Sequence, residues 1–310
     1  MNTHVSGMRP SDIPAPRQTF AQFIEKHIAY VLILPTVLGI VLVNVYPLAY
    51  AVVISFQEKK LSVPGTRFIG FENYARLLAD PEILNALRIS LVFVVCSVVF
   101  SFLIGLMLAL LLNRQMPGRG IIRSLFIIPW AIPAFVAALT WAWMYNDQFG
   151  ILTALAKQAG WAHPPIWLSR DYALVGLIVV MVWKSFPFQL VVLLAGLQAI
   201  SPELYEAAAV DGANAWERFR GITLPLLRPV AGVSVLLAAI NAFHYFSIPW
   251  VLTRGGPSNA TNVIPIATYN IAFQVGDLGY GSAAAILMFL FILAASSLYL
   301  WYYVQTERNA

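Results

Sequence analysis

Charged residues divide this chain into long apolar runs. Six such runs lie at 28–56, 89–112, 124–145, 172–197, 229–252 and 278–304. Lys26 and Glu58 bracket the first, Arg88 and Arg114 the second, and Arg123 and Asp147 the third. Arg228 and Arg254 bracket the fifth, Asp277 and Glu307 the last, and the fourth holds a single internal charge, Lys184. A helix needs about 20 apolar residues to cross a bilayer core, whereas a barrel strand needs roughly ten alternating ones, so the pattern predicts helices. The expected fold class is an all-α membrane protein with six transmembrane helices. A further charge-free stretch, 255–276, is not counted as a span. Its "GGPSNATN", Pro265 and Asn270 read as a loop followed by a short interfacial piece. Ala49-Tyr50-Ala51 resembles a signal cleavage site. The apolar run before it is longer than a signal core of about 7–15 residues, so an uncleaved helix is expected.

Composition agrees with this class. The chain of 310 residues is 60% hydrophobic and 11% charged, with a mean hydropathy of +0.75. Soluble domains carry about 25% charged residues. The net charge of +5 includes no basic cluster dense enough to track phosphates, so nucleic-acid binding is not expected. Cys96 is the only cysteine, which excludes an internal disulfide, and the four histidines are too scattered for a metal site. Six spans put both termini on one side. Lys and Arg number ten on that side and eight on the other, and the loop "NRQMPGRGIIR" has three arginines and no acid. Basic residues favour the cytoplasmic face, so cytoplasmic tails at 1–27 and 305–310 are expected, with inner loops at 113–123 and 198–228. The outer loops are then 57–88, 146–171 and 253–277. The segment from Met1 to about Thr19 is rich in Pro and polar residues and is expected to be disordered.

The inner segment "EAAAVDGANAWERFRGITLP", Glu206 to Pro225, is the most polar stretch of the chain. Ser201-Pro202-Glu203 is a helix start: a capping hydroxyl, a proline at the first position and an acid at the positive end of the dipole. A short helix is expected from Pro202 to about Val210, ended by Asp211-Gly212 with glycine in a left-handed turn. A second short helix fits Ala213 to Arg220, with Trp216 and Phe219 on one face. Pro225 and Pro229 are expected to end it and begin the fifth span. The physics leaves two readings open, a cytosolic loop resting on lipid headgroups or an element that docks another protein.

The spacing Glu206-Ala207-Ala208, three residues, Gly212, nine residues, then Ile222-x-Leu224-Pro225 resembles the EAA loop of bacterial ABC importer permeases. The resemblance implies the type I importer permease fold, also called MetI-like. It implies that Glu206, Ala207, Ala208, Asp211, Gly212, Ile222, Leu224 and Pro225 couple the chain to an ATPase. Glu206 would make the charge contact, the alanines would allow close packing and Gly212 would set the turn. "YPLAYAVVISF", "FIGFENYARLL", "IIPWAIPAFVAALTWAWMY", "VWKSFPFQLVVLLAGLQAIS" and "LTRGGPSNAT" are similar to the carbohydrate group, of maltose and glycerol-3-phosphate type. The implied partners are a second permease chain, different from this one, two copies of an ATP-binding subunit, a substrate-binding protein and membrane lipid. No cofactor is implied on this chain, since ATP and Mg belong to the ATPase subunit. Accordingly the sequence has no G-x-x-x-x-G-K-[ST] loop and no Gly-Lys pair.

A charge within a span costs about 2.5–3.5 kcal/mol by insertion scales, so Lys184 requires a reason. It lies beside Pro187, expected to break the helix, in "WKSFPF". That segment offers an ammonium, a hydroxyl and aromatic faces, the mixture that binds sugars. In the maltose-type permeases the helices on either side of the EAA loop contact substrate, and Lys184, Ser185 and Phe188 fall on matching places. In the fifth span "NAFHYF" supplies Asn241, Ala242, His244 and Tyr245. This region is less rich in asparagine than the maltose pattern. The alternatives for Lys184 are snorkelling, or a bond to a carboxylate or a helix end of the partner permease; if it faces the cargo, an acidic sugar or polyol phosphate is favoured. Gly105, followed by Ala109, reads as a helix-packing face. The competing functional class is an ion-coupled secondary carrier, but no mid-membrane carboxylate or internal repeat is visible. No H-E-x-x-H or intramembrane acid pair points to an enzyme.

Overall fold

The computed structural model describes residues 20–308, and most of them are helical. The expected disorder of Met1 to about Thr19 concerns residues outside those described. Among the described residues five helices are long and apolar enough to cross a membrane, and a sixth span results if one bent helix pair counts as a single crossing. The chain separates into two compact units, residues 1–51 and 52–310.

The described residues of the first unit are helical throughout. Helix α1 (Phe20–Ile40) passes through a π turn (Val41–Val45) into α2 (Tyr46–Ser55), whose last residues belong to the second unit. Every side chain from Leu32 to Tyr50 is exposed. A helix that is apolar on all sides is stable only against lipid or another chain.

The second unit begins with a short hairpin. Strand β1 (Gln57–Glu58) pairs antiparallel with β2 (Arg67–Phe68), and the Arg67 guanidinium meets Glu58 at 2.9 Å. Helix α3 (Glu72–Ala79) is fastened by Asn73, whose buried amide donates to the carbonyls of Ser55 and Gln57 at 2.9 and 3.0 Å. Helix α4 (Pro81–Asn113) starts eight residues before the charge-bounded window, because the Asp80 carboxylate accepts from the Glu82 N–H at 2.8 Å and Pro81 takes the first turn. The segment 57–88 is therefore folded over much of its length.

The third apolar run is two helices. Helices α5 (Arg119–Ala131) and α6 (Ala134–Met144) meet at 94°. Pro133 forces Ile132 out of the helical region, to φ −68°, ψ 131°. Helix α7 (Ile151–Gln158) follows, then α8 (Ala173–Gln198). Contrary to expectation α8 runs through Pro187 without a break; in a span, neighbouring groups satisfy the carbonyl that proline frees. Helix α8 lies along α4, with residue 105 at the contact. A Cβ there would stand 2.5 Å from the Gln189 Cβ and 3.0 Å from the Leu190 nitrogen, so only glycine fits. Ala109, one turn on, is fully buried.

After α9 (Pro202–Val210) and α10 (Ala215–Arg218), the helix does not stop at Pro225 or Pro229. A π turn (Phe219–Thr223) carries it directly into α11 (Leu224–Phe243), the Leu224 N–H reaching back five residues to the Phe219 carbonyl. That widened turn accommodates Pro225 just beyond it. The fifth run then breaks at His244–Phe246 and resumes as α12 (Ser247–Leu252).

In the stretch 255–276, helix α13 (Ile264–Tyr269) packs inward, with Val263 and Ile266 in the main apolar core, while the π turn Asn270–Gln274 buries only Ala272 and leaves Phe273 exposed. The Ile264 N–H donates to Ser90 Oγ of α4 at 2.8 Å. Helix α14 (Leu278–Arg308) closes the unit, its Tyr299 hydroxyl donating to the Gly232 carbonyl of α11 at 3.0 Å.

Candidate functional site

The hairpin α9–α10 stands apart from the apolar core. All of α9 is exposed except Tyr205 and Ala208, and Val210 at its tip is 88% exposed. The helix ends in a Schellman turn: the Ala213 N–H donates to the Ala208 carbonyl at 2.9 Å and the Gly212 N–H to the Ala209 carbonyl at 3.2 Å. Gly212 has φ +83°. Only glycine adopts that backbone at no steric cost.

The next helix starts at Ala215 rather than Ala213, because Asn214 forms a capping box with Glu217. The Asn214 oxygen accepts from the Trp216 and Glu217 N–H groups at 2.9 and 3.1 Å, and Glu217 accepts from the Asn214 N–H at 2.7 Å. Trp216 and Phe219 stack at 5.6 Å. The hydroxyls of Tyr205 and Thr223 lie 3.0 Å apart and tie α9 to the π turn. Tyr205 and Ile222 both pack on a second core formed by α4 and α8, while Leu224 and Pro225 are exposed. An open cleft of about 560 Å3 lies between the end of α4 and this hairpin, lined by Asn113, Arg114, Tyr205 and Arg218 among others. The hairpin thus offers Glu206, Ala207 and Asp211 to solvent while its base is anchored to two long helices.

In mid-span, Lys184 is 9% exposed. Its ammonium donates to the carbonyls of Pro129 and Trp130 at 2.9 and 3.0 Å, and also to that of Ile132. These are orphan carbonyls at the C-terminal end of α5, where a cation also complements the helix dipole. All three ammonium donors are directed at a helix end of its own chain, not at one of a partner permease as the sequence suggested. Beside it Trp183 meets Trp141 of α6 at 5.6 Å and Phe186 meets Phe126 of α5 at 6.2 Å.

Ser185 and Phe188 are half-buried. Ala242 is 3% exposed within the main core, where its methyl group packs and faces no open space. Asn241 and His244 are exposed at the end of α11. The Asn241 amide donates to the Leu237 carbonyl at 2.8 Å, and His244 Nδ1 to that of Ile240 at 2.7 Å. The Asn241 Oδ1 and His244 Nε2 remain for other partners. Tyr245 is half-buried at the break between α11 and α12.

One cluster was not anticipated. The Tyr280 hydroxyl donates to Asp80 at 2.7 Å, the Arg76 guanidinium lies 4.4 Å from the Tyr280 ring centre, and Arg76 pairs with Asp277 at 3.9 Å. It joins the starts of α4 and α14 through residues 200 positions apart, which no local pattern reveals.

Broken and continuous apolar helices, with one exposed glycine-hinged hairpin rooted in them, define a transmembrane subunit of the type I importer permease fold. A solved chain titled as a bacterial ABC transporter that imports the acidic polysaccharide alginate has this fold, with a TM-score of 0.80 over 92% of this chain and 98% of that one, at 22% identity. Residues 101–305 match the model of the family described as binding-protein-dependent transport system inner membrane component, and the chain belongs to that family. The trehalose/maltose transport system permease protein MalF of Thermococcus litoralis is 38% identical over 89% of this chain and 93% of its own length. The trehalose transport system permease protein SugA of Mycobacterium tuberculosis is 34% identical over 88% and 87%. The sulfoquinovosyl glycerol transport system permease protein SmoG of Agrobacterium fabrum is 34% identical over 89% and 90%.

Proposed function

We propose that this chain is the membrane-spanning subunit of an ATP-driven, binding-protein-dependent importer for a sugar or sugar derivative. The observation that carries the reading is the exposed α9–α10 hairpin. It has no core of its own, yet it is joined by three residues to α8 and by an unbroken helix to α11. A push on α9 must therefore move both helices, which carry the candidate cargo contacts further along their length. The sugar class draws support from three relatives, whose names specify trehalose, maltose or sulfoquinovosyl glycerol.

The nucleotide chemistry resides on two copies of a separate ATPase subunit, which bind ATP and Mg. Glu206, Ala207 and Asp211 form the docking face, Ala208 and Gly212 shape it, and Ile222, Leu224 and Pro225 root it. A second, different permease chain faces this one across the path. A substrate-binding protein docks on the loops 57–87 and 254–276, on the side opposite both termini, which lie in the cytoplasm. Ser185, Phe188, Asn241, His244 and Tyr245 contact the cargo. Without the Lys184 ammonium the case for an anionic cargo loses its residue, and the hydroxyl, amide, imidazole and ring faces that remain suit sugar hydroxyls and pyranose faces.

The test is reconstitution of the tagged chain with the subunits that co-purify with it. Sugar uptake that requires ATP and the binding protein, stops with vanadate and ignores uncouplers supports the reading. Uptake by the chain alone that uncouplers abolish makes it an ion-coupled carrier.

A further inference from the structure

Lys184 is an expensive residue in its position. Its surroundings are buried, and all its bonds go to one feature, the carbonyl end of α5. A proline four residues before Pro133 sits inside that end, and Pro133 itself stops the helix. The third span is thus cut in its middle, and the cut end is held by a side chain from α8. Within the same turn of α8, Phe186 touches the α5 side of the cut and Trp183 the α6 side. Three residues beyond its end, α8 becomes α9.

A fixed span would need no such device, because a continuous helix satisfies its own carbonyls. A cut span with a free end would expose three acceptors in the bilayer, at a large cost. An ammonium suits a joint that has to move: it has three rotatable donors on a flexible stem and can follow the carbonyls through a change of angle.

We propose that Lys184 is the pivot pin of the third span. It keeps the end of α5 on α8 while α6 swings about Ile132–Pro133 as the coupling hairpin displaces α8. Lys184 is in this sense a positioning residue that acts through α5 and touches no cargo. The inference rests on the reading of the chain as an importer subunit.

The experiment uses the whole importer in lipid nanodiscs and proteoliposomes, with Cys96→Ser as background. Spin labels at Leu125 and Val191 report the α5–α8 separation, and labels at Leu125 and Leu139 the α5–α6 angle; all three positions are exposed. With Lys184 intact, the first distance stays constant between nucleotide-free and ATP-bound states, while the second changes. In Lys184→Met the first distribution broadens, and sugar moved per ATP hydrolysed falls about tenfold, within the usual 5–150-fold range of coupling factors. The apparent KM for the loaded binding protein stays unchanged. Lys184→Arg, which keeps the charge and the donors, restores most of the coupling.

A first distance that shifts with nucleotide, or a second that does not, overturns the pivot. So does Lys184→Met with unchanged sugar moved per ATP. A raised KM with undisturbed label distances assigns the side chain to the cargo instead. If Lys184→Met fails to assemble, the two distances in the Lys184 protein still decide. If the complete importer neither hydrolyses ATP nor moves sugar, the functional reading fails. The breadth of the α5–α8 distribution in the Arg and Met variants then still tests the contact.

Discussion

Gly212 offers a graded test of the coupling hairpin, because its backbone and its space make separate demands. Its φ of +83° is left-handed, but no heavy atom lies within 4 Å of where a Cβ would stand. A side chain therefore meets backbone strain and no clash. For an L-residue that strain is about 1–2 kcal/mol, a factor of about 5–30 in the population of the turn. Asn tolerates this region better than Ala, and a β-branched residue tolerates it least. The expected order of ATP-driven uptake is Gly, then Gly212→Asn, then Gly212→Ala, then Gly212→Val. Ala should lie about 5- to 30-fold below glycine if the turn must be populated for each productive cycle. The assay is sugar uptake in proteoliposomes at saturating ATP, with quantities of assembled complex matched by gel filtration. Two results refute the reasoning: Val performing as well as Gly, or Asn performing worse than Ala. Either would mean that the left-handed turn is incidental to coupling.

Two further substitutions test the packing, one between the long helices beneath the hairpin and one in the segment 57–88. Gly105→Leu forces α4 from α8 at their closest approach and should lower the melting temperature of the purified complex, at about 1–3 kcal/mol for overpacking; an unchanged melting curve contradicts the close approach. Asn73→Ala removes two donors that hold α3 to the end of α2 and the start of β1 and leaves buried carbonyls unpaired. It should cost about 1–3 kcal/mol and raise proteolysis in 57–80 of the folded complex, and identical cleavage patterns would refute the role.

The sequence announces structure where one residue type has one local meaning. Pro202 and Gly212 bound α9 because proline suits a first turn and glycine a left-handed one. Asn214 and Glu217 carry an equally local signal, a capping box three residues apart, which starts the helix at Ala215 rather than Ala213. Proline was less dependable inside apolar runs. Pro187, Pro225 and Pro229 are accommodated within helices, whereas Pro133 breaks one. At the broken α5 end the freed carbonyls are held by a lysine more than 50 residues further on, which no local pattern reveals. The same distance in sequence hides the inward packing of α13 on Ser90 and the Arg76–Asp80–Asp277–Tyr280 cluster. Membrane spans compound the problem: every face is apolar, so hydropathy identifies a run without saying which side meets protein.

The most direct test of the account is whether α9 touches the ATPase during transport. With Cys96→Ser as background, a cysteine-directed photocrosslinker is placed by Val210→Cys at the exposed tip of the helix. The same probe at Val179, exposed on α8, serves as control. The account predicts that Val210 captures the ATPase subunit in the working importer, with a yield that changes between nucleotide-free and ATP-bound states, while Val179 does not. A Val210 probe that never captures the ATPase, in a complex that still imports sugar on ATP, would contradict it.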